Sequence, residues 1–306
     1  MNETTIQKHK PVLVQEVLEY LDPQPNKTYL DVTFGSGGHT RAILEKEPQA
    51  NVIALDWDTR ALEMYGEPLK QEFGDRLTLL WGNFAILYKI LKKEKIESVD
   101  GILADFGTSQ IQIFTRPGFS VYRDSPLDMR MSPAHQKITA AEVVNQADEK
   151  TLVAIFKELG EERYARRIAR AILEERKKKK ILKTMHLAKL VEKVVPYNPR
   201  VKIHPATRVF QALRIYINDE LKNIHSFLTS ATRLLALDGR LVCISFHSLE
   251  DRIVKNTFKK FQQEEIVEIL TPKVVTASQE ELYRNPACRS ARLRAARLVK
   301  KVDKSS

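Results

Sequence analysis

Between residues 29 and 106 the chain alternates short apolar runs with amphipathic segments of helical spacing. The apolar runs predict strands because they are short and near-continuous, as in parallel strands that are buried on both faces. These predicted strands are 29–34, 51–58, 77–84 and 98–106. The segments between them, 40–46, 60–73 and 85–94, predict helices. Strands that alternate with helices in this way indicate an α/β fold with a doubly wound parallel sheet.

The alternation stops after residue 112, and residues 113–212 show no pattern that is typical of a strand. Helical spacing in this part predicts helices over 140–145, 149–160, 161–180 and 185–195. A long helix over 219–237 follows, then a strand that runs into a polar turn over 239–251 and a terminal hairpin over 264–275. We therefore expect a discontinuous α/β core, residues 1–112 and 213–306, and an inserted, mostly helical domain, residues 113–212.

The composition, with 43% hydrophobic and 29% charged residues over 306 positions, is that of an ordinary globular protein. No apolar run approaches the ~20 residues that a bilayer-spanning helix needs, so we expect no membrane partner. The N-terminal stretch MNETTIQKHKPVL lacks the basic-then-apolar pattern of a signal peptide, which predicts a cytoplasmic protein. Two cysteines, Cys243 and Cys288, are too few for a disulfide framework and fit a reducing compartment.

The net charge of +11, from 50 Lys and Arg against 39 Asp and Glu, favours a polyanionic partner such as a nucleic acid. Two clusters carry much of this excess. The segment 161–180 has an apolar stripe at four-residue spacing with arginines around it, and the tail 284–304 has eight basic residues against one acid. Because the clusters are separate, we interpret both as phosphate contacts rather than as solvated faces. The loop GFSVYRDSPLDMR also interleaves aromatics with arginines, which suits an unpaired base or an ordinary packed loop.

A glycine-rich turn, DVTFGSGGHT, joins the first predicted strand to the first predicted helix. Gly37 and Gly38 lack a Cβ, so the backbone there can approach a ligand closely, and the amides of the helix start present hydrogen-bond donors. Asp56 ends the second strand, where a carboxylate can accept both hydroxyls of a ribose. Phe84, after the third strand, could cover an adenine ring. Together they predict a nucleoside-bearing ligand at the carboxyl edge of the sheet.

The spacing of the glycines favours S-adenosylmethionine over other nucleoside cofactors. A dinucleotide would call for G-x-G-x-x-G, whereas this chain has G-x-G-G, and no Gly-Lys-Ser/Thr of a P-loop occurs. A nicotinamide dinucleotide stays open as the alternative. A Ser-His-Asp hydrolase is disfavoured because no G-x-S-x-G elbow is present, and the scattered histidines show no ligand spacing, so we expect no metal.

Asp105 ends the fourth predicted strand, where a catalytic side chain would reach the transferred methyl group. If the methyl acceptor is an exocyclic amine, its lone pair is delocalised into the ring. A fixed carboxylate can then bind the N–H and help to withdraw the proton. Asp105 is our candidate for that role or for a contact to the donor, and a turn cap is the structural alternative.

Several stretches together resemble the bacterial 16S ribosomal RNA (cytosine-N4)-methyltransferases, the MraW family. They include DVTFGSGGHT, SPLDMRM, HPATRVFQALRIYINDEL and SFHSLEDRIVK, and the likeness runs from about His9 to Lys300. The resemblance implies a class I, Rossmann-like methyltransferase sheet and an inserted helical domain for substrate recognition. It also implies S-adenosylmethionine as the donor and, as the substrate, a cytidine in the decoding region of 16S rRNA within the small ribosomal subunit.

Carried over to matching positions, the resemblance implies a set of cofactor contacts. They are Gly37, Gly38, His39, Asp56, Phe84, Asp105 and Gln112. One stretch departs from the family: Gln110-Ile111 stands where Ser-Pro is usual, and Ile113-Phe114 lacks the following Asp. This departure keeps a second hypothesis open, a non-catalytic RNA-binding assembly factor that retains the fold. The oligomeric state also stays open, with a homodimer as one option.

Overall fold

The computed structural model describes residues 10–107, 116–133, 136–196 and 203–302. The chain divides into two compact units. The sheet unit comprises the chain up to Gly107 and from Leu221 onward, and the helical unit lies between Thr108 and Glu220. The domain boundary placed at 212/213 in the sequence falls within a helix, Thr207–Ile217, which belongs to the helical unit.

The sheet unit contains a sheet of 7 strands in the order β3-β2-β1-β4-β5-β7-β6. The strands are β1 (Thr28–Asp31), β2 (Asn51–Asp56), β3 (Leu77–Trp81), β4 (Val99–Asp105), β5 (Leu235–Ser245), β6 (Val267–Ile269) and β7 (Arg292–Leu298). β1 to β5 pair in parallel, and β7 is antiparallel to both β5 and β6. The α/β class predicted from the sequence is confirmed. The strand order reverses between β1 and β4, which is where open α/β sheets bind ligands.

The helices fall into three groups along the chain. The first group is α1 (Val14–Leu21), α2 (Gly38–Lys46), α3 (Thr59–Ala61), α4 (Glu67–Phe73) and α5 (Leu87–Lys93). A π-helical turn, Leu62–Gly66, joins α3 to α4. The helical unit follows with α6 (Ala140–Gln146), α7 (Glu149–Ala154), α8 (Ala165–Lys178), α9 (Thr184–Val194) and α10 (Thr207–Ile217). The last group is α11 (Glu220–Leu234), α12 (Ser248–Gln263) and α13 (Gln279–Arg284).

Successive residues of the central strands face two different cores. In β2, Val52 and Ala54 pack into one core with α1 and α2, and Ile53 and Leu55 pack into the other with α5, α11 and α12. All four side chains are buried. Burying a side chain such as Leu or Ile contributes about 1.5–3 kcal/mol. The apolar run NVIALD is therefore continuous because both faces of this parallel strand are covered, as the sequence predicted.

Part of the basic tail is a strand of the sheet, and two of its arginines pair with acids of the fold. Residues 292–298 form β7, an internal strand between β5 and β6. Arg294 is paired with Asp251 through two hydrogen bonds of 2.6 and 3.1 Å. Arg297 contacts the exposed Glu268 and Asp238. These arginines are neutralised within the fold, because a charged side chain in a packed sheet needs a partner.

The prediction of a hairpin over 264–275 is wrong. Only Val267–Ile269 forms a strand there, and it pairs with β7 rather than with its own neighbours. Val275 makes an isolated antiparallel bridge to Leu293 of the same strand. The partner of both segments is thus the basic tail, which local pattern alone did not identify as a strand.

The described residues of the helical unit contain helices and no strand of the sheet, as the sequence predicted for residues 113–212. The apolar stripe of α8 is confirmed, since Ile168 and Ile172 are buried in the core of this unit. The four flanking residues Arg163, Arg166, Arg167 and Arg170 are exposed. Nowhere in the described ranges is a helix long and apolar enough to cross a bilayer.

Candidate active site

The predicted site residues lie at the carboxyl edge of the sheet, near the reversal between β1 and β4. Gly37 and Gly38 begin α2, Asp56 ends β2 and Asp105 ends β4. Direct contacts bring them together: the Gly35 N–H donates to Asp56 Oδ2 at 2.8 Å, and His39 Nε2 lies 3.6 Å from Asp105 Oδ2. Gln112 lies outside the residues that the structure describes.

The glycine turn is shaped by local packing as well as by its capacity to approach a ligand. Gly37 has a φ of 77°, and a Cβ there would lie 2.8 Å from the ring of Phe34. A Cβ on Gly38 would lie 2.7 Å from Pro11. Gly35, with a φ of 54°, has only the carbonyl oxygen of Thr33 near its missing Cβ, at 3.7 Å. Of these three glycines, Gly35 therefore has the most free space beside its backbone for a ligand.

The N-terminus of α2 lies at the glycine turn. Gly37 is the N-cap residue and has no side chain that could accept from the first amides of the helix. Uncapped N–H groups and the positive end of the helix dipole favour a carboxylate or another anionic group. The turn can therefore bind the negative end of a ligand as well as pass close to its neutral part.

Asp56 is held by two backbone N–H groups and is almost fully buried. Its Oδ2 accepts from Gly35 at 2.8 Å, and its Oδ1 accepts from Asp58 at 2.9 Å. Burial raises the pKa of Asp56 to about 6, and the two backbone hydrogen bonds oppose that rise. Each carboxylate oxygen has a second lone pair, so this fixed group can still accept hydrogen bonds from a ribose.

His39, Asp105 and Asp31 form a compact titratable cluster. His39 is 6% exposed. Burial opposes protonation of its ring, but the nearby carboxylates of Asp105 and Asp31 outweigh burial and raise the pKa of His39. Among the described residues, both ring nitrogens of His39 and Oδ1 of Asp105 are buried without a hydrogen-bond partner. Unpartnered buried polar atoms are rare and costly, so the cluster fits a polar ligand that completes these bonds.

Asp31 and Thr33 are site residues that the sequence reasoning missed. Asp31 is 1% exposed and accepts from the hydroxyl of Thr40 at 2.8 Å and from the N–H of Thr33 at 3.1 Å. The hydroxyl of Thr33 accepts from the backbone N–H of Asp105 at 2.7 Å and contacts Asp31 Oδ1 at 3.4 Å. Thr33 thus ties the end of β4 to the end of β1. The sequence signal for these two residues was the motif DVT, in which a polar residue stands on each side of Val32 at the end of the strand.

Replacing Thr33 with Val is expected to lower kcat by about tenfold, equivalent to roughly 1.4 kcal/mol, with little change in donor affinity. Val keeps the shape but leaves the Asp105 N–H without its acceptor, which also destabilises the protein by about 1–3 kcal/mol. Steady-state kinetics and urea unfolding measure the two effects. Thr33→Ser keeps the hydroxyl and should restore kcat; equal losses in both variants would contradict the positioning role.

Phe84 belongs to an aromatic cluster that closes one side of the sheet edge. Its ring centroid lies 5.9 Å from that of Phe106 and 5.6 Å from that of Phe227. Asn83 caps the short turn that carries it by accepting from the N–H of Ala85 at 2.8 Å. Phe84 is half-buried, so it is fixed by its neighbours and keeps an accessible part for stacking on a ring.

The polar stretch after β5 is the start of a helix rather than a turn. His247 is the N-cap of α12, and Glu250 completes a capping box with it. Oε2 of Glu250 accepts from the N–H groups of Phe246 and His247 at 2.8 and 3.3 Å, and Glu250 is 1% exposed. These groups stabilise the helix start, and the spacing of Glu250 three positions after the cap was the sequence signal for it.

Comparisons with known proteins identify the family of the chain. A family model described as the MraW methylase family matches residues 6–299. Ribosomal RNA small subunit methyltransferase H from Sulfurihydrogenibium sp. (strain YO3AOP1) is 48% identical over 293 residues, 95% of this chain and 99% of its own. The protein of the same name from Thermotoga neapolitana is 48% identical over 296 residues, 95% of this chain and 96% of its own.

Among solved structures, TrmN from Thermus thermophilus resembles the chain with a TM-score of 0.46 at 14% identity, over 94% of this chain and 49% of that one. A likeness at this level carries no information about function. The family model and the curated relatives, in contrast, extend over nearly the whole sequence. The resemblance recognised in the sequence is confirmed: the chain belongs to the MraW methylase family.

Proposed function

We propose that the protein transfers a methyl group to the exocyclic N4 amine of a cytidine in the decoding region of 16S rRNA, within the small ribosomal subunit in the cytoplasm. As a member of its family, it is an S-adenosylmethionine-dependent rRNA methyltransferase. The observation that carries the finer proposal is the fixed carboxylate of Asp105, whose Oδ1 has no partner among the described residues, beside the glycine turn.

The cofactor fits the residues that are present. Asp56 would hold the ribose hydroxyls, the open amides of α2 would hold the carboxylate of the methionyl part, and Phe84 would lie against the adenine. The unpartnered atoms of His39 and Asp105 are polar groups that a bound donor and acceptor can satisfy. When bound, S-adenosylmethionine supplies an electrophilic methyl group on a sulfonium centre.

Asp105 would act on the methyl acceptor. The N4 amine of cytosine is a weak nucleophile because its lone pair is delocalised into the ring. A carboxylate oxygen that accepts one N–H orients the amine and stabilises the positive charge that grows on nitrogen as the new bond forms. The ring of His39 lies 3.6 Å from this carboxylate, whose charge raises the pKa of His39.

Transfer of label from methyl-labelled S-adenosylmethionine to isolated small ribosomal subunits tests the proposal. We expect the label in 16S rRNA, and mass spectrometry of the digested nucleosides should show N4-methylated cytidine. Label on protein, or on another nucleoside, would contradict the assignment. The target base must leave its stack to enter the pocket, so naked duplex RNA should be a poor substrate.

A non-catalytic assembly factor is not favoured as the alternative. The relatives are named as methyltransferases, and the cluster of Asp105, His39 and Asp31 is intact in this chain. We further propose that the helical unit recognises the substrate, since the exposed arginines of α8 present a basic face.

A further inference from the structure

A cavity lies in the sheet unit, between α12 and the strands β6 and β7. It has a volume of about 290 Å³, and its lining includes Lys255 and Lys259 from α12, Arg294 from β7 and Thr271 after β6. None of these residues belongs to the candidate active site. This volume is close to the lower end for small-molecule pockets, about 300–1,000 Å³, so the cavity has room for a phosphate group and an attached sugar.

The positive charge of this cavity is not compensated. Lys255 and Lys259 are one helical turn apart and exposed, and within the described ranges neither has a carboxylate at ion-pair distance. Lys260, the next residue on the helix, is paired instead with Glu264 at 3.8 Å. Arg294 is held by Asp251 and so shapes the wall rather than supplying free charge. Two like charges at this spacing repel each other, which an anion between them would relieve.

The floor of the cavity is rigid. Phe258 is buried in the core of the sheet unit. The hydroxyl of Thr271 accepts from the N–H of Ala295 at 2.9 Å and donates to the carbonyl oxygen of the same residue at 3.4 Å. An apolar floor beneath free ammonium groups matches a phosphodiester with its attached sugar, in which charged and apolar parts alternate. A compact inorganic anion would leave the apolar part unused.

We propose that this cavity, here called the α12 pocket, binds a backbone phosphate of the RNA substrate. The inference rests on the proposed function for the identity of the RNA, and on the net charge of +11 and the unpaired lysines for the chemistry. A phosphate contact positions the RNA and carries no sequence information. In the basic tail, by comparison, Arg294 and Arg297 are paired with acids of the fold.

The test compares Lys259→Gln with Lys260→Gln, which remove the same charge from neighbouring positions of α12. Binding of isolated small ribosomal subunits is measured over a series of salt concentrations. We expect Lys259→Gln to weaken binding and to reduce the slope of log K against log salt by about 1, and the double variant Lys255→Gln/Lys259→Gln by about 2. Lys260→Gln should leave the slope near that of the wild type.

Two further measurements distinguish failure of the α12 pocket as a phosphate site from failure of the proposed function. Donor affinity by calorimetry and the melting temperature should be unchanged in all variants, since these lysines are exposed. Equal slopes for Lys259→Gln and Lys260→Gln would overturn the α12 pocket as a phosphate site. If the wild-type protein methylates no 16S rRNA, the proposed function fails, whereas the binding comparison still decides whether the pocket contacts RNA.

Discussion

Replacing Asp105 with Asn is expected to slow methyl transfer by about 10²–10⁴-fold, the range typical of losing a positioned acid–base group. Asn keeps the size of the side chain but removes its negative charge. The N4 amine then loses the carboxylate that would stabilise positive charge on nitrogen. Single-turnover measurements at saturating donor isolate this step from donor binding and product release.

Donor affinity provides the control for Asp105→Asn. Calorimetry should show a change of less than about tenfold, because the glycine turn and Asp56 are intact in this variant. The backbone N–H of Asp105 still donates to Thr33, so the strand end stays in place. Turnover near the wild-type value would exclude a catalytic role, and a loss confined to donor affinity would make Asp105 a donor contact only.

Replacing Asp56 with Ala should weaken donor binding by about 10²–10⁴-fold, since two hydrogen bonds to a charged group contribute about 1.5–3 kcal/mol each. Asp58→Ala is the matched control. Asp58 lies at the same edge, but its carboxylate caps α3 by accepting from the N–H of Arg60 at 3.3 Å. Asp58→Ala should destabilise the protein and leave its donor affinity near that of the wild type. Calorimetry measures affinity in both variants.

Donor affinity should also depend on pH through Asp56. Burial raises the pKa of this carboxyl group to about 6, and the ionised form is the better acceptor for ribose hydroxyls. Lowering the pH protonates Asp56 in the protein without donor, and the donor then meets the weaker, neutral acceptor. Donor affinity should therefore be about tenfold weaker at pH 5 than at pH 7. Asp56→Asn, which does not titrate, should lose this dependence. An unchanged pH profile in that variant would assign the titration to another group, such as His39.

The part of the site that lies on one continuous stretch was predictable from the sequence. A strand, glycines and a helix follow one another between residues 28 and 46, and each depends on neighbours a few positions away. Asp56 follows from the same local pattern, because the acid directly ends an apolar strand. Parallel strands then place both features at one edge, whatever else the chain does.

The contacts across the site depended on the tertiary structure. The hydrogen bond from Asp105 to Thr33 joins residues 72 positions apart, and it exists because β4 pairs with β1 rather than with β3. No local pattern specifies which strands become neighbours. The burial of His39 between Asp31 and Asp105, and the pKa shifts that follow from it, arise from the same long-range pairing.

The basic tail shows that the charge pattern along a chain does not reveal which charges are paired. Along the chain, residues 284–304 carry eight cations and one acid, the pattern of a solvent-facing nucleic-acid contact. In the folded protein, acids from distant segments, Asp251, Glu268 and Asp238, meet Arg294 and Arg297 across the sheet. The α/β fold class, the glycine turn and the place of Asp56 at a strand end could be predicted from the sequence alone, because they depend on short-range periodicity. Which charges are paired could be seen only in the folded protein, because the acids that pair with Arg294 and Arg297 come from distant parts of the chain.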